Sequence, residues 1–267
     1  MNTSLYRRTY KRWLKQYEKQ AYKEIHKTFA KWGVNIPFSI MTEANYEALV
    51  DVVMTDEPMI MTYEKIYTDI GLVHGKRVGV TINKELKFFK PNDFDALFLR
   101  NIRNYLLTTD LELRLFSIES TYADSIKLLL SKRLEEGKTI REASAEVQAL
   151  VRSNDFYRWQ ALRIARTEST TVANYAATQA NQVTDYVMEK VWISARDGRT
   201  RRSPPDKYDH VYLDGKTVEP NDDFITETGQ KLAYPGDPKG AAGDIINCRC
   251  AVAYRAKRDS EGNLIKK

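Results

Sequence analysis

Two cysteines one residue apart, Cys248 and Cys250, are the only thiols in the chain, and their spacing limits what they can do. On an extended strand, residues i and i+2 point to the same side, so the pair shares a face while Arg249 points away. Their Cα atoms would then stand about 6.6 Å apart, near the upper end for a disulfide, so a bridge between them is expected to be strained. Two thiolates on one face suit a single zinc ion, with His210 as third ligand and Asp209, Asp214 or water as fourth. The competing reading makes both thiols buried apolar groups that pack a small domain, because paired zinc cysteines usually have about two to four residues between them. His210 itself admits two further roles, a hydrogen-bonding strut and a general base.

A second polar group combines Arg163, Arg166 and Glu168 with Arg199, Arg201 and Arg202. A guanidinium fork donates to a carboxylate in bidentate fashion. Arg166, Glu168 and Arg201 are therefore expected to form a structural network that ties a helix to the β part, with Asn247 satisfying loop backbone through its amide. As catalysis, the same residues would mean phosphodiester cleavage or ADP-ribosyl transfer. The usual equipment for either is missing: no carboxylate pair stands at metal-binding spacing, and there is no P-loop or GxGxxG to cradle a nucleotide.

The elements that must position these groups follow from periodicity. Over residues 5–32, Tyr6, Tyr10, Trp13, Tyr17, Ala21, Ile25, Phe29 and Trp32 recur every three or four positions, as one helix face requires. Lys11, Lys15, Lys19, Lys23, Lys27 and Lys31 repeat every fourth residue, nearly opposite the ridge Trp13-Tyr17-Ala21-Ile25-Phe29. The result is an amphipathic helix about 40 Å long with an aromatic and a cationic side. Two readings of the lysines stand: a solvated face, or a ridge that meets DNA or an acidic protein surface.

Gly33 and Pro37 interrupt this pattern, which resumes over residues 42–54 and again after Pro58, where Thr55 or Asp56 can cap a helix. Gly71, Gly75 and Gly79, with Val78, Val80 and Ile82 among them, read as a loop with a short extended segment. Residues 93–134 read as helical with a break near Thr108, stopped by Gly137. Thr139 and Glu142 have capping-box spacing ahead of another helix. Residues 156–182 form an alanine-rich helix whose small side chains let a neighbouring backbone come close. After it come a strand over residues 187–195, a hairpin at Asp214-Gly215 between residues 211–213 and 216–218, and an ordered loop over 220–244. Residues 245–254 close as a strand carrying the cysteines, and the C-terminal residues beyond Arg255 are expected to fray.

Composition bounds the class. A chain of 267 residues with 42% hydrophobic and 29% charged content can bury a sizeable core and suits one large or two ordinary domains. No apolar run is long enough for a membrane span, and the first residues lack the h-region of a secretory signal, so the protein is expected to act where it is made. Two cysteines cannot build a disulfide framework, which points to a reducing cytosol. Of the formal charge of +6, residues 1–32 carry nine basic against two acidic side chains, so the remainder is close to neutral. The expected fold is α+β: a mostly helical N-terminal region over residues 1–153, a long helix with a small β-rich C-terminal module over 154–257, and a flexible tail over 258–267.

Taken in order, Arg166-Thr167-Glu168, Trp192, Asp197-Gly198-Arg199-Thr200-Arg201, His210, Leu213-Asp214-Gly215, Phe224, Tyr234-Pro235-Gly236-Asp237-Pro238 and Asn247-Cys248-Arg249-Cys250 resemble the head-morphogenesis domain of tailed-phage minor head proteins, the Mu F-like family. The resemblance implies a non-enzymatic minor head protein of a double-stranded DNA phage, with no required cofactor, acting in head assembly and genome packaging or delivery. It implies the portal protein, major capsid or scaffolding protein and double-stranded DNA as partners. It also implies a place in the virion, at the capsid interior or portal vertex, and in the host cytoplasm during assembly. The alternative is a metal-dependent nuclease or ADP-ribosyltransferase-like enzyme centred on His210, Glu168 and the arginines. One departure from the family pattern is the insertion of residues 203–209, including Pro204-Pro205, between Arg202 and His210. That loop is expected to bulge outward and to shift His210 relative to the cysteines.

Overall fold

The computed structural model describes residues 2–55, 57–86, 90–153 and 155–267; Asp56 and Asn154, a possible helix cap and the expected domain boundary, lie outside them. The fold is α+β, as expected. The chain gathers into two compact units, each discontinuous in sequence. One holds Met1–Ala21, Ile66–Ile102 and Arg163–Lys267, the other Tyr22–Lys65 and Arg103–Leu162.

The helix α1 (Thr3–Asn35) contributes residues to both units as one element. Its two faces are those the period requires. Tyr17, Ala21, Ile25 and Phe29 are buried and Trp13 is half-buried, while Lys15, Lys19, Lys23, Lys27 and Lys31 are exposed and Lys11 is half-buried. Gly33 does not end the helix. A Cβ there would lie 2.5 Å from Val151 Cγ1, so the glycine admits a close neighbour.

The second unit is built on aromatic stacking. α1 brings Phe29 and Trp32 to Tyr122 of α5 (Thr109–Glu135), with Phe29 stacked on Tyr122 at 5.0 Å between centroids, and the Tyr122 hydroxyl donates to the Phe29 carbonyl at 3.1 Å. The break near Thr108 is a helix start: its side chain accepts from the Leu111 N–H. Gly137, at φ 85°, ends α5, and the Thr139–Glu142 capping box opens α6 (Ile140–Arg152). The pattern over residues 42–54 shrinks to α2 (Tyr46–Asp51), preceded by a 3-10 turn at Phe38–Ile40.

In the first unit one expectation is overturned. Gly71, Gly75 and Gly79 are not a loop but lie inside α3 (Glu57–Leu86), where Val78, Val80 and Ile82 are helical too. The reason is packing against α4 (Pro91–Leu106), which begins with proline, a residue suited to the first helical turn. A Cβ on Gly71 would come 2.0 Å from Phe98 Cζ, and one on Gly75 would come 1.9 Å from Phe94 Cζ. Glycines four residues apart therefore receive phenylalanines four residues apart.

The unit also contains α7 (Arg158–Gln182) from Arg163 onward and a three-stranded antiparallel sheet. Its strands are β1 (Met188–Ile193), β2 (Thr217–Val218) and β5 (Ala251–Ala256), in the order β2-β1-β5. The long register runs from Met188↔Ala256 to Ile193↔Ala251. A separate ribbon pairs β3 (Phe224–Ile225) with β4 (Lys231–Leu232), and a one-turn helix α8 (Ala242–Ile245) precedes the cysteines.

Two further expectations change. The Asp214-Gly215 turn does not join a hairpin: residues 211–215 are turn, and β2 pairs with β1 instead. The Asp214 carboxylate is occupied by the Ser194 N–H at 2.7 Å and the Arg7 guanidinium at 3.0 and 3.1 Å, which holds the turn against β1 and α1. Cys248 and Cys250 lie just ahead of β5, not within it. Beyond β5, Arg258 bridges Leu264 and Lys266 bridges Tyr186, so the last residues fold back beside β1.

Candidate functional site

Buried polar side chains on α7 position the cysteine loop. Thr170 donates to the Cys248 carbonyl at 2.6 Å, and Thr171 to the Gly236 carbonyl at 2.8 Å. The Asn174 amide donates to the carbonyls of Pro235 at 2.8 Å and Cys250 at 3.0 Å and accepts from the Val252 N–H at 2.8 Å. Thr167 accepts from the Asn247 N–H at 3.0 Å. Asn247 thus acts through its backbone, and its φ of 57° is a left-handed turn that asparagine tolerates better than most residues. Residues 167, 170, 171 and 174 recur on one helical face, so alanine-rich α7 is a row of hydrogen-bonding groups among small residues.

The turn after β1 supplies the other wall. Asp197 accepts from the Arg199 N–H at 3.1 Å and from Arg249 Nη2 at 2.6 Å. Partial burial works against its charge, but these donors and Lys11 hold its carboxyl below the usual range. Arg201 donates to the Ile246 carbonyl. Glu168 is buried and accepts from the Tyr67 hydroxyl at 2.7 Å. Arg166 lies close enough to Glu18 to favour that residue's charged form, although burial has the larger effect and raises the Glu18 pKa.

His210 and both cysteines come together. The imidazole Nδ1 stands 3.6 Å from each sulfur, and the three ligand atoms all lie within 4.8 Å of one another, fully inside the protein. The inserted loop does not separate them. It is closed at its base by the His210 N–H donating to the Arg201 carbonyl at 3.1 Å, and by Asp209 accepting from the N–H groups of Ser203 and Tyr212. Residues 203–205 are exposed while His210 is buried, so the bulge points outward without moving its anchor. Trp192 meets the imidazole edge-on at 5.7 Å and Phe224 at 5.3 Å. The two expected fourth groups, Asp209 and Asp214, are both engaged by backbone N–H donors.

Asp244, in α8, is the group that sequence reasoning missed. It is 1% exposed and its Oδ1 lies 3.4 Å from His210 Nε2, though neither carboxylate oxygen nor Nε2 has a hydrogen-bond partner among the described residues. Its place one helical turn before Cys248 was the only signal. Burial by itself lowers the His210 pKa, but Asp244 and Cys250 outweigh it and push the imidazole up to about 9. A hydrogen bond with Cys250 and burial raise the Cys248 thiol, while the hydrogen bond from Cys248 and the imidazole lower Cys250 despite its burial. A small cavity beside them is lined by Ala195, Arg199, Thr200, Arg201, Asn247 and Arg249.

Another buried cation was also missed. Lys190 of β1 donates to the Ala233 carbonyl at 2.8 Å and lies 5.2 Å above the Phe224 ring, and burial lowers its pKa against the pull of Asp223, Asp222 and Asp237.

Fold and site together define an α+β module in which one helix clamps a small antiparallel sheet and its cysteine loop. Residues 124–253 match the family described as phage Mu protein F like protein, which identifies a Mu F-like head-morphogenesis domain over that part of the chain. The match begins within α5, well before the motifs that carry the resemblance. No curated protein and no solved structure gave a match. No helix among the described residues is long and apolar enough to cross a membrane.

Proposed function

We propose that the chain is a minor head protein of a tailed double-stranded DNA phage, a structural part that docks at the portal vertex and meets packaged DNA through the outer face of α1. The observation that carries the DNA contact is the separation of faces on that helix. Its aromatic ridge is committed to the interior, while Lys15, Lys19, Lys23 and Lys31 are exposed and form no ion pair among the described residues. Lys27 sits beside Glu24 at 3.1 Å, and Lys11 is 3.9 Å from Asp197, so the ends of the row differ in how fully they are available. Phosphate neutralisation requires charge and reach but no base reading, which a row of flexible lysines supplies. The buried aromatics leave no platform for stacking on bases, so binding is expected to be insensitive to sequence.

Portal and capsid or scaffolding proteins are the protein partners in this reading, and the site residues brace architecture without turning over substrate. Replacing Lys15, Lys19, Lys23 and Lys27 by glutamine should weaken binding to duplex DNA and reduce the slope of log K against log salt by about three to four. Unchanged affinity with an unchanged slope would remove the DNA contact. Turnover of DNA, RNA or nicotinamide dinucleotide by the purified chain, abolished by His210→Ala, would replace the structural role with an enzymatic one.

A further inference from the structure

We propose that His210 Nδ1, Cys248 Sγ and Cys250 Sγ ligate one zinc ion, with Asp244 orienting the imidazole from its other nitrogen. Such a site is independent of the head-assembly role, since it concerns what holds the module together.

Geometry carries the proposal first. Tetrahedral zinc with Zn–S near 2.3 Å and Zn–N near 2.0–2.1 Å places nitrogen and sulfur about 3.6 Å apart. Both sulfurs stand 3.6 Å from Nδ1. A hydrogen bond explains only half of this, because one ring nitrogen has a single proton or a single lone pair and two sulfurs compete for it. A cation between the three atoms serves all of them.

Asp244 supplies the independent observation. A fully buried carboxylate whose two oxygens lack hydrogen-bond partners is costly, and so is the unpartnered Nε2 that faces it. Metal on Nδ1 forces the ring proton onto Nε2, 3.4 Å from Asp244 Oδ1, where a small rotation makes a charge-assisted bond. Histidine ligands are held by a carboxylate in this manner at many zinc sites. Two thiolates match the dication, the ring N–H faces the carboxylate, and the protons carried by the thiols and by Nδ1 leave to solvent on binding.

The fourth position opens on the cavity bordered by Arg199, Arg201 and Arg249, which has room for about one water. That is too little for a substrate. The ion is therefore a brace, joining the loop after β1 to the loop before β5 at one end of the strand pair.

The test uses the full chain, purified under reducing conditions without chelator. Elemental analysis should find about one zinc per chain, and cobalt exchanged for it should show thiolate-to-cobalt charge transfer with the intense visible bands of a tetrahedral site. Asp244→Asn should keep the stoichiometry but lose about 10–100-fold in affinity for zinc in a chelator competition. Cys248→Ser with Cys250→Ser should abolish binding. If that variant fails to fold, the cobalt spectrum of the wild type decides. A wild-type chain with both thiols reduced that takes up neither zinc nor cobalt overturns the proposal. So does a Cys248–Cys250 disulfide in the chain as isolated without reductant, or a folded double-serine variant that retains its zinc.

Discussion

Helices α1 and α7 both contribute to the first compact unit, yet they encode their roles in opposite ways. α1 separates large aromatics from lysines, so its buried and exposed faces follow from period alone. α7 has small side chains, and its specificity lies in Thr167, Thr170, Thr171 and Asn174, which bond to backbone some 60 to 80 residues away. The first kind of helix is held by non-directional burial and tolerates changes on its outer face. The second is held by directional bonds made in the dark, where each unmatched partner costs its full desolvation. The module is therefore held to α7 by directional bonds and to α1 by apolar burial.

This contrast is most exposed at Asn174. Replacement by alanine leaves the Pro235 and Cys250 carbonyls and the Val252 N–H without this partner in a buried place, so unfolding by denaturant should show a loss of about 3 kcal/mol or more. A loss under about 1 kcal/mol would mean that the α7 row is incidental.

Next in size are the glycines of α3. Alanine normally favours a helix interior over glycine by about 1 kcal/mol. At Gly71 and Gly75 the new methyl meets a phenylalanine ring carbon at 2.0 or 1.9 Å, and overpacking should prevail with a net loss of about 1–3 kcal/mol. Pairing Gly75→Ala with Phe94→Leu should recover part of it in a double-mutant cycle.

A pH series examines the aromatic side of α1. His74 is fully buried among the ring edges of Tyr10, Trp13 and Tyr17, with Nδ1 3.2 Å from the Tyr17 hydroxyl. Burial, and then the charge of Arg77, lower its pKa to about 3. The unfolded chain takes up this proton near its ordinary value of about 6.5, so the neutral ring's contribution is present above that pH and is lost as pH falls towards 3. The melting temperature of the wild type should therefore fall more steeply between pH 7 and 5 than that of His74→Gln. Parallel curves would contradict the assignment.

The smallest effect on stability is expected on the outer face of α1. Glutamine at Lys15, Lys19, Lys23 and Lys27 should leave the unfolding free energy within about 0.5 kcal/mol per site while changing DNA binding.

Much of this was legible because it is local. The faces of α1, the Thr108 and Gly137 helix ends and the Thr139–Glu142 box all depend on neighbours within a turn or two. The α3 glycines were misread because glycine punctuates local patterns, whereas these serve the Phe94 and Phe98 rings of the following helix. The signal was present as matching four-residue spacings in two segments. The Asp214-Gly215 hairpin failed for a similar reason: Arg7, from the far end of the chain, engages the aspartate. Cysteine and histidine types identified a candidate cluster, but Asp244 could not be joined to it until α8 turned its side chain inward.

Crosslinking mass spectrometry of purified phage heads decides whether the chain serves in assembly. It should be present in assembled heads, with crosslinks to portal protein and ultraviolet adducts between α1 and DNA. Complete heads that lack the chain, or a chain found only free in the lysate, would contradict a structural role in the head.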